Sequence, residues 1–256
     1  MNDKHITRQE QTHPTVFHEL LNSKLPEEDK TVDRLADEAL SVVSAGNETV
    51  SWALTVATYH ILASPHILHN LKTELLSAIP HPSETIPATK LEQLPYLNAI
   101  YKEALRLSYG MSCRLQRIPH EPLLFSTAAK EWLIPPGTPV GMTSVLVHHD
   151  ESIFPNSKEF RPERWLQNPR LWKYMISYGA GSRVCLGQYL ASSEMHLWLA
   201  AIFRRFGTEQ VSFADDEGRL RLVDTDVSAV EIVADRVIPA VKKGSTGVQV
   251  RVTLNQ

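Results

Sequence analysis

Thr31 to Ala63 contain no proline, the first being Pro65, and between Ala39 and Ala63 the only formally charged residue is Glu48. This stretch constrains the fold more than any other. It predicts one helix of about nine turns, entered through Asp33, Arg34, Asp37 and Glu38, and a helix lacking charge on every face is expected to be buried on every face. Its apolar part is long enough to span a bilayer. Ser41, Ser44, Asn47, Thr49, Ser51, Thr55 and Thr58 argue against that, as does the central Glu48 carboxylate, which in lipid would cost on the order of 3 kcal/mol. A helix buried all round needs packed mass on each side, and residues 1–30, polar apart from Val16, Phe17, Leu20 and Leu21, supply little. The chain is therefore expected to expose an apolar face or to be covered by a second chain.

The remaining pattern is mainly α with a small β region, read as a single domain over residues 1–256. Helices are expected over 66–78 and 94–108, the latter with Pro95 in its first turn. Residues 113–145 carry short β-prone runs broken by prolines. A helix over 186–206 is expected to have Leu190, Leu197 and Ala201 on one line and Trp198, Ile202 and Phe206 on another, with Gly207 as its C-terminal cap. A net charge of -3 over well-mixed side chains excludes the broad basic field of a nucleic-acid binder. The two cysteines, Cys113 and Cys185, are too few for a disulfide framework and lack zinc-site spacing. Met1 to Glu10 hold no apolar core of a signal peptide, so a cytoplasmic location is the expectation.

Chemistry concentrates in Tyr178-Gly179-Ala180-Gly181-Ser182-Arg183-Val184-Cys185-Leu186-Gly187. Glycines let the backbone approach another group closely, and a cysteine beside Arg183 at the start of a helix favours a thiolate. Most free cysteines are buried small hydrophobes, so residue type alone favours that reading. Dinucleotide and phosphate loops fit the spacing less well. An aromatic residue, then glycine, arginine, cysteine and glycine at these intervals resembles the heme-binding loop of the cytochrome P450 family, with Tyr178 where that family usually has phenylalanine.

Three further segments follow the family's order. Glu103-Ala104-Leu105-Arg106 and Arg161-Pro162-Glu163-Arg164-Trp165 resemble its paired structural motifs, implying a buried charge triad of Glu103, Arg106 and Arg164 that supports the cysteine loop. By spacing alone, Glu103 and Arg106 would be an ordinary surface pair worth roughly 0.3 kcal/mol. Ala45-Gly46-Asn47-Glu48-Thr49 resembles the oxygen-activating acid and alcohol, and a glycine with hydroxyl neighbours there can open a local bulge. A carboxylate buried at Glu48 would demand a partner or a task. Arg117 and His148 match positions near the heme propionates, with solvated surface as the competing reading.

The resemblance implies a P450-like fold truncated to its C-terminal half and heme b with iron held axially by Cys185. It also implies Tyr178, Gly181, Arg183 and Gly187 around the heme, and Glu48 and Thr49 as catalytic residues delivering protons and hydrogen-bonding dioxygen. The activity implied is monooxygenation of a small organic substrate of fungal secondary metabolism, with electrons from NADPH-cytochrome P450 reductase. Full-length relatives would be bound to the endoplasmic reticulum. The alternatives are a non-catalytic heme-binding or cyclase-like scaffold and an unstable gene fragment. Substrate identity is not encoded in these residues.

Overall fold

The computed structural model describes residues 15–255, which divide into two compact units between Asn47 and Glu48. In the first, helix α1 (Val16–Asn22) is capped by the Thr15 hydroxyl, which accepts the His18 amide, and α2 (Val32–Ala63) begins. No described helix is long and apolar enough to cross a membrane.

The expectation for α2 is corrected in its first half. Leu40 (68 % exposed), Val42 and Val43 lie open, and so does Glu48; burial starts at Ala53 and continues through Val56, Ala57, Thr58, Tyr59 and Ile61. Absence of charge permits burial but does not supply the neighbours that produce it. The helix runs unbroken through 45–49, without the expected bulge, and a Cβ on Gly46 would meet nothing.

In the second unit the core gathers where α2 meets α3 (Pro65–Ala78), α5 (Pro95–Ser108) and α8 (Gln188–Arg205). Leu68, Leu71, Leu75, Leu97, Ile100, Ala104, Leu199 and Phe203 are buried in it. Proline opens both α3 and α5, where its missing N–H costs no helical bond. Helix α3 also serves both neighbours electrostatically. Its Glu74 carboxylate accepts the Tyr96 and Leu97 amides at the start of α5, each at 2.8 Å. Its Lys72 ammonium donates to the Phe203 and Phe206 carbonyls at the end of α8 and to Asp216 at 2.6 Å. An anion at one helix's N-terminus and a cation at another's C-terminus each match the local dipole.

The β region is four small sheets. β1 (Leu115–Arg117) pairs with β4 (Val140–Met142), and β2 (Leu123–Ser126) with β3 (Glu131–Ile134). β5 (Phe206–Gly207), β6 (Gly218–Leu222) and β9 (Val250–Leu254) form the third, and β7 (Ala234–Arg236) with β8 (Ile238–Ala240) the fourth. Gly207 is therefore a strand residue rather than a left-handed cap. A Cβ there would collide with the Val211 carbonyl and the Asp216 carboxylate, which explains the glycine. Helix α8 buries Met195, His196, Leu199, Ala200 and Phe203, while Leu190, Leu197 and Trp198 are exposed.

Behind α5 lies a buried charge cluster. Glu103, fully buried, accepts from Arg106 Nε and Nη2 (3.0 and 2.8 Å) and from Arg164 Nε (3.0 Å). It also accepts the Arg161 amide (2.8 Å) and the Trp165 indole (2.9 Å). The arginines spend their other donors on backbone carbonyls: Arg106 on His148, Ser157 and Glu159, and Arg164 on Pro155, Asn156 and Glu159. This is no surface pair. Two guanidiniums share one carboxylate, and carbonyl dipoles offset the excess positive charge.

Glu103→Gln leaves two buried guanidiniums without their anion and is expected to lower unfolding free energy by about 3 kcal/mol or more. Trp165→Phe removes one donor and is expected to cost about 1 kcal/mol. Urea unfolding of both variants checks the ranking, and equal losses would show that the carboxylate is not the centre of the cluster.

Candidate functional site

The segment before the cysteine is bolted to the charge cluster. His148, on the short helix α6 (Ser144–His148), is fully buried. Its Nδ1 lies 2.9 Å from the Arg106 carbonyl, and the Ile176 amide donates to its Nε2 at 3.2 Å. The first contact requires a proton on Nδ1 and the second a lone pair on Nε2, so the ring is neutral with one tautomer. Burial accordingly lowers its pKa to about 4. This corrects both readings of His148: with both nitrogens committed to backbone, it is neither a propionate ligand nor a surface residue.

Next along the chain, the Ser177 hydroxyl donates to the Leu105 carbonyl of α5 at 2.8 Å. Helix α5 ends at Tyr109 and Gly110, both left-handed, and a Cβ on Gly110 would strike the Ser177 carbonyl. Only glycine admits this approach. Gly179 and Gly181 also take positive φ, a 3₁₀ turn covers Gly181–Arg183, and the Cys185 amide donates to the Tyr178 carbonyl at 2.8 Å. The backbone thus doubles back and carries the thiol outward.

Cys185 is exposed, which removes the buried-hydrophobe reading. Around it Val184, Leu186 (94 % exposed), Tyr189 and Leu190 lie open. A Cβ on Gly181 would meet nothing within 4 Å, and one on Gly187 only the Cys185 sulfur at 3.9 Å. A soft thiol donor on an open apolar surface with no side chain crowding it suits a flat, largely apolar, metal-bearing macrocycle. Arg183 and Arg117 are both exposed, and Arg117 donates to the Gln116 carbonyl. Tyr178 faces inward, its hydroxyl 3.1 Å from that of Tyr101.

Glu48 and Thr49 line a cavity of about 190 Å³ with Ser51, Trp52, Thr55, Gly110, Ile238 and Pro239. Ser51 and Thr55 turn their hydroxyls onto helix carbonyls, and the Trp52 indole donates to the Ser108 carbonyl. Ile238 and Pro239 follow Val237, whose φ of 75° is rare for a β-branched residue. Asp235 holds this turn by accepting the Val237 amide and the Ser112 hydroxyl, while the Ser112 amide donates to the Val237 carbonyl. Sequence reasoning missed Trp52, Ile238 and Pro239, since nothing local marks them. It also missed Trp165 and Tyr101, where an aromatic at a recognised motif or helix carries a polar atom that signals a buried partner.

A cytochrome P450 family model matches residues 1–223. The chain is 50 % identical over 247 residues to cytochrome P450 monooxygenase tpcC of Cochliobolus heterostrophus, covering 95 % of this chain and 47 % of that protein. It is 44 % identical to cytochrome P450 monooxygenase astB of Talaromyces wortmannii (99 % and 53 %) and 40 % identical to tryptophan 6-hydroxylase fscE of Fusarium equiseti (93 % and 44 %). It thus spans about half the length of these relatives. A crystal structure of a cytochrome P450 (CYP102L1) superposes with a TM-score of 0.73 at 19 % identity, covering 98 % of this chain and 52 % of that one.

The depressed pKa of His148 sets a pH window. Below pH 6.5 the unfolded ring binds a proton that the native ring refuses until about pH 4, so stability is full above 6.5 and falls as pH drops toward 4. The loss from this residue is expected to be on the order of 3 kcal/mol. His148→Gln should be less stable at neutral pH yet show a flatter decline across that window, read by denaturant midpoints at successive pH values; an unchanged slope would refute the assignment.

Proposed function

The chain belongs to the cytochrome P450 family, and from that premise we propose that it supplies the thiolate side of a heme monooxygenase centre. The centre inserts one atom of O2 into a small organic substrate of secondary metabolism, with electrons from NADPH-cytochrome P450 reductase. The observation that carries this reading is the exposure of Cys185 on an uncrowded apolar surface, at the end of a loop anchored to a buried charge cluster. When bound, heme b would supply the iron that activates oxygen, with thiolate donation favouring O–O cleavage.

The chain's own residues have distinct tasks. Cys185 would hold the metal, and Val184, Leu186 and Leu190 would offer apolar contact to the macrocycle. Arg117 and Arg183 carry exposed guanidiniums suited to carboxylates. Glu48 is exposed on α2, and its carboxyl and the neighbouring Thr49 hydroxyl line one cavity, where they can hold or pass a proton. Trp52, Ile238 and Pro239 give that cavity apolar walls that restrict water. Glu103, Arg106 and Arg164 support the loop and take no part in proton movement.

The test is the carbon monoxide difference spectrum of the reduced, heme-supplied chain. Wild type and Cys113→Ala should give a thiolate-type band, and Cys185→Ala should give none. A band surviving in the last variant would refute the ligand assignment. Reductase-dependent oxygen consumption then separates a monooxygenase from a heme-binding scaffold.

A further inference from the structure

Tyr178 carries a hydroxyl that the resembled loop pattern, with phenylalanine there, does not. That hydroxyl is used: it lies 3.1 Å from the hydroxyl of Tyr101, which is buried on α5 two residues before Glu103. The Tyr101 ring packs 4.5 Å from the ring of His196 on α8, whose Nδ1 is 2.7 Å from the Ser192 carbonyl. Ser192 in turn donates to Glu92 at 2.9 Å. Either phenol can donate in the Tyr101–Tyr178 hydrogen bond. Burial raises the pKa of both phenols, keeping each protonated and able to donate.

Residue 178 is therefore held at two ends. Its side chain is fixed to α5 through Tyr101, and its carbonyl accepts the amide of Cys185. A phenylalanine at 178 would leave the ring held by packing alone, free to slide and to carry the carbonyl with it. We propose that Tyr101 is a positioning residue for Cys185, clamping Tyr178 through the phenol–phenol hydrogen bond and so fixing the peptide that aims the sulfur. The inference rests on the heme-thiolate reading for its purpose, but the clamp itself is a property of the protein alone.

Because Tyr101 acts through Tyr178, its effect must vanish once the hydroxyl at 178 is gone. Tyr101→Phe in the wild-type chain is expected to speed amide exchange across residues 178–187 about fivefold, the equivalent of one lost hydrogen bond. Exchange in β6 and β9 should stay unchanged. Introduced into a chain already carrying Tyr178→Phe, the same substitution should change exchange there less than about twofold. In the heme-loaded protein, Tyr101→Phe should shift or broaden the carbon monoxide band only in the wild-type background.

Equal acceleration in both backgrounds, none in either, or a uniform rise over the whole chain would overturn the proposal, the last by reducing Tyr101 to a core residue. A chain that takes up no heme gives no band in any variant. That outcome would sink the heme-thiolate reading while exchange still decides the role of Tyr101.

Discussion

Everything at the candidate site depends on one carboxylate kept away from water. Glu103 accepts five donors, from Arg106, Arg161, Arg164 and Trp165, with no exposure to solvent. Burying three charges is costly unless each polar atom finds a partner. Here the arginines complete their valence on five backbone carbonyls between His148 and Glu159. That solvation by peptide dipoles is the useful part of the arrangement. It fixes the course of a loop-rich stretch that has little regular structure of its own and a small apolar cluster of Ala99, Phe154, Trp165 and Leu171 beneath it.

From that anchor, rigidity is handed to the cysteine in short steps. Arg106 offers its own carbonyl to His148, His148 holds Ile176, Leu105 holds Ser177, and Tyr178 receives the amide of Cys185. Each link is a bond of ordinary strength, but the groups are mutually oriented and mostly buried, so none relaxes alone. An exposed thiol is usually mobile. This one sits at the end of a braced strut.

The proline that opens α5 could be read directly from the residues, because it depends on local geometry. The cysteine loop and the paired acidic and basic motifs were legible only through their resemblance to a family, since Glu103 and Arg164 meet from 61 positions apart. Fates decided by partners distant along the chain could not be read locally. Glu48 looked buried because its neighbours are uncharged, yet α2 gains packing only from Ala53 onward. His148 matched a family position near the propionates; the two backbone partners that commit its ring nitrogens lie 42 and 28 residues away. Gly207 looked like a cap, but the atoms that exclude a side chain there belong to Val211 and Asp216. Lys72 and Glu74 carried no visible signal at all, although together they finish the ends of two other helices.

The bond between Arg164 and Glu103 joins residues 61 positions apart, and this spacing orders events during synthesis. Translation delivers the helix carrying the acid well before the arginine that completes its neutralisation, at a rate of about 5–20 residues per second. For several seconds the nascent chain therefore holds Glu103 with at most its helical neighbour, and water must remain beside it. Only when the later arginine leaves the ribosome can the interior dry, and the thiol-bearing turn, emerging some twenty residues after that, meets a foundation already set.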